Sequence, residues 1–170
     1  MNLLKSIALA ATIMALPTAL LAQDAMFPRV DTADLNERIV SFPTDLPANP
    51  TLILVAFKQR QQANLDGWIN AMSLKADDAP PWIEMPVIAD YGSIWRGFIN
   101  NGMRSGITAT EDRARVFTVY VSPERFRSFF DMPTDEEVYV MVVEQNGTVL
   151  ETVQGDHTPE REELIRAALN

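Results

Sequence analysis

Six arginines stand between residues 96 and 127, at positions 96, 104, 113, 115, 125 and 127, opposed only by Glu111, Asp112 and Glu124. This stretch is locally +3 within a chain whose formal charge is −9 at pH 7. A guanidinium presents a planar fork of donors, grips a carboxylate or phosphate through paired hydrogen bonds and stays protonated. The chemistry on offer is therefore anion recognition. Arg104 sits inside Gly102-Met103-Arg104-Ser105-Gly106-Ile107, where the flanking glycines predict a shaped loop rather than a helix. Shaped loops on a rigid scaffold commonly carry binding groups. Met103, Arg104, Arg113, Arg115 and neighbouring Tyr120 are the candidate binding residues. The competing expectation is that these arginines pair with the protein's own surplus carboxylates, as surface ion pairs of about 0–1 kcal/mol each. Arg125 and Arg127, on a predicted helix surface, fit that second expectation better.

Other chemistries have less support. The chain contains no cysteine, which excludes disulfide exchange, peroxide reduction and thiolate metal binding, since all three need the thiolate. His157 is the sole histidine and follows Asp156. Such a pair can act as a general base, but no nucleophile is identifiable beside it. No calcium loop, glycine-rich phosphate loop, nucleophile elbow or zinc-binding His pair occurs. No cofactor or metal is expected. Trp68 and Trp95 fit the apolar faces of predicted helices and are expected in the core. Trp82, after Pro80-Pro81, is expected to be the exposed tryptophan. The acidic balance argues against general nucleic-acid binding, which depends on neutralising phosphates.

The first residues set the compartment. Lys5 precedes an apolar run from Ile7 to Leu21, and Leu20-Leu21-Ala22 offers a cleavage point before Gln23. That order is the grammar of a secretory signal, and Pro17 breaks a run already short for a membrane span. The chain is read as a signal peptide at 1–22, an unpacked leader at 23–37 and one folded domain at 38–170. The protein is expected to be exported, periplasmic or otherwise extracytoplasmic, without a stable membrane span once the signal is removed.

Strands and helices alternate through that domain. Runs at 38–42 and 51–57 flank a Pro-rich turn and suggest a hairpin. Thr51 to Phe57 is apolar throughout, the mark of a central strand covered on both faces. Leu65, Trp68, Ile69 and Met72 then follow helical spacing. Ile83 to Ala89 reads as a strand interrupted by Pro86. Ser93 is the predicted cap of a helix with Ile94, Trp95, Phe98 and Ile99 on one apolar face. Val116 to Val121 is the next strand. Ser122-Pro123 opens a helix whose buried face carries Phe126, Phe129 and Phe130. Asn146-Gly147 marks a hairpin between 138–143 and 148–153, and Thr158-Pro159 opens a last helix with Leu164, Ile165, Ala168 and Leu169 inward. This order implies an α/β fold, a central mixed β-sheet flanked by helices, with an N-terminal hairpin extension.

The arrangement over residues 38–169 resembles the thioredoxin-like superfamily in its peroxiredoxin-like arrangement. The resemblance rests on the Leu52–Phe57 strand leading into a helix and on the hairpin around Asn146-Gly147. It places the reactive cysteine just after the first central strand, where this chain has Lys58-Gln59-Arg60-Gln61-Gln62, and it leaves Pro133 as the candidate for the family's cis-proline. Gly102 to Ile107, Arg113-Ala114-Arg115, Tyr120, Phe126 and Phe57 to Gln62 leading to Trp68 are similar to a narrower group. That group is the mitochondrial ATP synthase assembly factors and their bacterial relatives. The likeness implies a non-catalytic protein that escorts a protein client, including membrane-complex subunits. A secretory signal would change the client, because the catalytic head of the bacterial synthase lies in the cytoplasm. The alternative is a small anionic ligand binder, or a cysteine-independent enzyme, with Gln59, Arg60 and Gln62 lining a pocket at the family's usual working position.

Overall fold

The computed structural model describes residues 26–170; the expected signal at 1–22 lies outside the described residues. Five strands form the central sheet: β3 (Thr51–Ala56), β4 (Trp82–Ile88), β5 (Val119–Tyr120), β6 (Tyr139–Val143) and β7 (Val149–Gln154). Their order across the sheet is β5-β4-β3-β6-β7. The β3–β4 and β4–β5 pairs are parallel, and β6 joins β3 and β7 antiparallel. All of β3 is buried, as a continuous apolar run on the middle strand requires. Gly147 takes a φ of +97° in the turn that joins β6 to β7, a conformation open to glycine without penalty.

Alternation along the strands divides the core in two. On one face Ile53, Val55, Met85, Val87 and Met141 pack against Phe42, Phe117 and Phe126. On the other, Leu52, Leu54, Trp82 and Val140 pack against Leu65, Trp68 and Ile69 of α1 (Gln62–Ala71) and Ile165 of α5 (Pro159–Leu169). Trp68 closes this second core by donating from Nε1 to the Gly155 carbonyl at 3.0 Å. Helices α2 (Ser93–Gly106), α3 (Thr110–Arg113) and α4 (Pro123–Phe129) complete the fold. Ser122 and Thr158 accept from the backbone N–H three residues on, each ahead of a first-turn proline. None of the described helices is long and apolar enough to cross a membrane.

Several expectations are corrected. Residues 26–36 do not form an unpacked leader. Phe27 and Leu35 are buried, and β1 (Val30–Ala33) pairs antiparallel with β2 (Ile39–Phe42). The hairpin therefore lies between β1 and β2, not between 38–42 and 51–57. The carboxylate of Asp34 holds its turn, accepting from the Asn36 and Arg38 amides at 2.8 and 2.9 Å. Trp82 is buried as the first residue of β4, and its Nε1 donates to the Leu74 carbonyl at 2.6 Å. Phe129 and Leu164 are exposed, whereas Phe126 of α4 and Ile165 of α5 are buried and Ala168 and Leu169 pack partly against the core. The cis peptide bonds precede Pro43 and Pro50, not Pro133. Gly92, not Ser93, occupies the cap position of α2.

Pro86 stands within β4 for a geometric reason. Glu84 exchanges both backbone hydrogen bonds with the β5 side, to Arg115 and from Phe117 at 2.8 and 2.9 Å. Two residues on, Pro86 turns its missing N–H to the same side. There the pairing is interrupted at Phe117 and Thr118, between the Glu84–Val116 bridge and β5.

Candidate functional site

The inner face of β4 is only partly covered. Residues Ile83, Met85 and Val87 enter the first core, so Glu84, Pro86 and Ile88 point to the opposite face. Between α1 and α2 these three residues contribute to a cleft of about 950 Å³. Leu65, Asp66 and Ile69 of α1 line it, as do Phe98, Ile99 and Met103 of α2. Lys58, Gln59 and Gln62 also line it, as do Lys75 and Asp112.

The α2 helix makes this cleft possible by not packing. None of its residues is buried, and a Cβ added at Gly97, Gly102 or Gly106 would meet no neighbour within 4 Å. Ile94 and Phe98 are 91% and 71% exposed, and Trp95 stacks on Phe98 with ring centroids 5.7 Å apart. Tyr91 meets the edge of Trp95 at 6.2 Å. The apolar face expected to enter the core is thus an aromatic surface that continues into the cleft through Phe98. Exposed aromatics grouped in this way mark interaction surfaces.

Polar contacts hold α2 in place. Arg104 belongs to the helix, not to a shaped loop. It donates from Nε to the Leu35 carbonyl at 2.7 Å and from Nη2 to Glu37 at 2.9 Å. Arg113 donates to the Ile107 and Arg104 carbonyls at 2.6 and 2.8 Å, satisfying the end of α2. Tyr120 donates to the Asn100 Oδ1 at 2.7 Å, and the Arg96 guanidinium lies 5.2 Å from its ring centre. Burial pushes the Tyr120 hydroxyl above its usual pKa. At the start of the helix, Arg96 holds the Asp90 carboxyl at about 2, aided by the Gly92 amide. Arg115 lies over the Trp82 ring at 5.2 Å. Arg96, Arg104, Arg113 and Arg115 are therefore engaged within the molecule, while Met103 alone of the candidate residues at 103–120 lines the cleft.

The β3–α1 connection is also tied down. Lys58 contacts Asp135 and Glu136, and Arg60 contacts Glu136. These contacts lower the Asp135 carboxyl and raise the Lys58 amine. Gln61 was not among the candidates, yet it shapes this loop. Its buried side chain accepts from the Phe57 and Lys58 amides at 2.8 and 3.0 Å and donates to the Asp135 carbonyl at 2.9 Å. Gln59 and Gln62 line the cleft, whereas Arg60 is drawn to Glu136. Glu84 was missed as well, although a carboxylate inside Ile83-Glu84-Met85 was a visible break in an apolar run. His157 sits against the Trp68 ring and bonds Glu162, lowering that carboxyl, so its surroundings are structural. Among the described residues no cluster of three or more His, Asp or Glu is placed to hold a metal ion.

No family model and no curated protein matches the chain. Solved structures do. A putative electron transfer protein from Aquifex aeolicus VF5 superposes with a TM-score of 0.59 at 10% identity, covering 86% of this chain and 95% of its own. BsSco, a member of the Sco family of cytochrome c oxidase assembly proteins, gives 0.55 at 13%, over 86% and 95%. A putative thiol:disulfide interchange protein DsbE from Chlorobium tepidum gives 0.53 at 14%, over 86% and 97%. The fold is thioredoxin-like. The cleft lies beside the turn where that resemblance places a reactive cysteine, and here the turn carries Gln59, Arg60, Gln61 and Gln62 instead.

Proposed function

We propose that this thioredoxin-like chain is an exported, non-catalytic binding protein that holds an apolar segment of a protein client, acting as an assembly or maturation factor. The observation that carries the reading is the unburied α2 face, with Tyr91, Ile94, Trp95 and Phe98 leading into the cleft. A soluble domain gains nothing in folding from three exposed large apolar side chains on one helix and a fourth, Tyr91, just ahead of it, whereas a binding surface uses them directly. The absence of cysteine removes the thiol chemistry of the fold, and the assembly role named for one structural neighbour points the same way. Membrane-complex subunits are the clients favoured by the motif likeness at 102–107, and export favours those with segments outside the cytoplasm. The anionic-ligand alternative is weaker, since Lys58 and Arg60 already meet carboxylates and Glu84 adds negative charge to the cleft.

The test is site-specific photocrosslinking in the native cells, with a photoreactive phenylalanine at Phe98 and, as control, at Leu150 on β7. A discrete product at Phe98, lost in Ile94→Ser/Trp95→Ser and containing a membrane-complex subunit, is expected. Identical products from Leu150, or none from Phe98, would sink the proposal.

A further inference from the structure

Glu84 is the group in the cleft whose chemistry has no answer within the molecule. It projects from a central strand between buried Ile83 and Met85. Its nearest polar partner is a neutral amide, Gln62 Nε2, 3.3 Å from Oε2. Among the described residues no ammonium or guanidinium lies within 4.0 Å of it. Lys58 is drawn to Asp135 and Glu136, Lys75 to Asp112 at 3.3 Å, and Arg115 lies over Trp82. The charges nearest Glu84 are Asp66 and Asp112, of its own sign, and Lys75, whose ammonium is drawn to Asp112. Burial pushes its carboxyl above the usual value, so the site holds an unmet demand for positive charge. A carboxylate in such surroundings costs stability unless a cation reaches it, and the apolar walls strengthen that pairing when it forms.

We infer that the client segment received by this cleft carries a Lys or Arg among apolar residues, and that its cation pairs with the Glu84 carboxylate. The inference rests on the client-binding proposal and adds the selectivity of the site. The α2 aromatics and the walls formed by Leu65, Ile69 and Phe98 take the apolar side chains. Glu84, on the rigid sheet, fixes which residue enters. An apolar segment without a cation leaves the carboxylate desolvated and unpaired, and an acidic one adds repulsion from Asp66 and Asp112. Discrimination of this kind comes as much from the penalty on the wrong partner as from the gain with the right one.

The experiment uses the folded chain after removal of residues 1–22 and a short leucine–alanine host peptide with lysine, norleucine or glutamate at its centre. Affinities are measured by isothermal titration at low salt. The lysine peptide is expected to bind about tenfold more tightly than the norleucine peptide, equivalent to about 1.4 kcal/mol, with the glutamate peptide weakest. In Glu84→Gln the lysine preference should vanish, with the norleucine peptide binding more tightly than it does to the unaltered chain because no carboxylate is left to desolvate. In Phe98→Ser all affinities should fall together. Equal binding of lysine and norleucine peptides, or a lysine preference that survives Glu84→Gln, overturns the role of Glu84 and leaves the apolar cleft standing. No binding of any peptide removes the client-binding proposal, and the inference with it.

Discussion

Helices α1 and α2 face each other across one cleft and carry the same kind of apolar spacing, yet they do opposite things. Leu65, Trp68 and Ile69 of α1 are buried against the sheet, whereas Ile94, Trp95 and Phe98 of α2 are exposed. The difference lies in what each helix meets. The α1 helix follows β3 through a connection held by Gln61 and lies on Leu52, Leu54 and Val140. The α2 helix leaves β4 near the sheet edge, where only the two-residue β5 lies beyond, and is fastened by Arg104, Arg113 and Tyr120 instead. An amphipathic pattern states that a face needs a partner; it does not state that the partner is the chain's own core.

The largest test of that contrast is a pair of truncations. Trp68→Ala should cost about 3–5 kcal/mol through the cavity and the lost Gly155 hydrogen bond, while Trp95→Ala should stay within about 0.5 kcal/mol. Chemical denaturation of both variants checks it, and a comparable loss for Trp95→Ala would mean that α2 packs in solution. A smaller effect follows from the polar fastening. Arg104→Ala should cost about 1 kcal/mol and speed amide exchange across 93–106 without touching 62–71. Uniform acceleration of both helices would instead show that they open as one unit.

The smallest effect concerns the cleft floor. Because burial raises the Glu84 carboxyl above the ordinary 4.5, its ionised form destabilises the folded chain at neutral pH, and that penalty disappears below the unfolded value. Glu84→Gln should therefore raise stability at pH 7 by about 1 kcal/mol or less, with the gain fading as pH falls toward about 4.5 and gone below it. Urea midpoints at both pH values measure this, against a background in which Asp66, Lys75 and Asp112 face the same group. A gain that persists at low pH would assign the effect to packing.

Much of the scaffold was legible in local pattern. The apolar run of β3, the Asn146-Gly147 turn and the Ser122 and Thr158 caps are short-range signals, and each appears where the pattern implied. The site was less legible. Arg104, Arg113 and Arg115 read either as a binding patch or as partners of the chain's own carboxylates, because a sequence displays charge but not the Leu35, Ile107 and Arg104 carbonyls that receive Arg104 and Arg113, nor the Trp82 ring beneath Arg115. Gln61 was passed over between two exposed neighbours, since nothing local shows that it alone turns inward.

By itself the sequence determined what chemistry is excluded and most of the strands and helices, β1 and α3 excepted. Thiol redox chemistry needs an atom this chain lacks, and secondary structure follows from periodicity and turn residues only a few positions apart. Tertiary structure alone decided which faces are covered. Residues 26–36 join the fold, Trp82 closes a core, Glu84 is left unpaired on the cleft floor, and the aromatic face of α2 stays open. Burial depends on segments tens of residues away arriving at the same place, and no local pattern carries that distance.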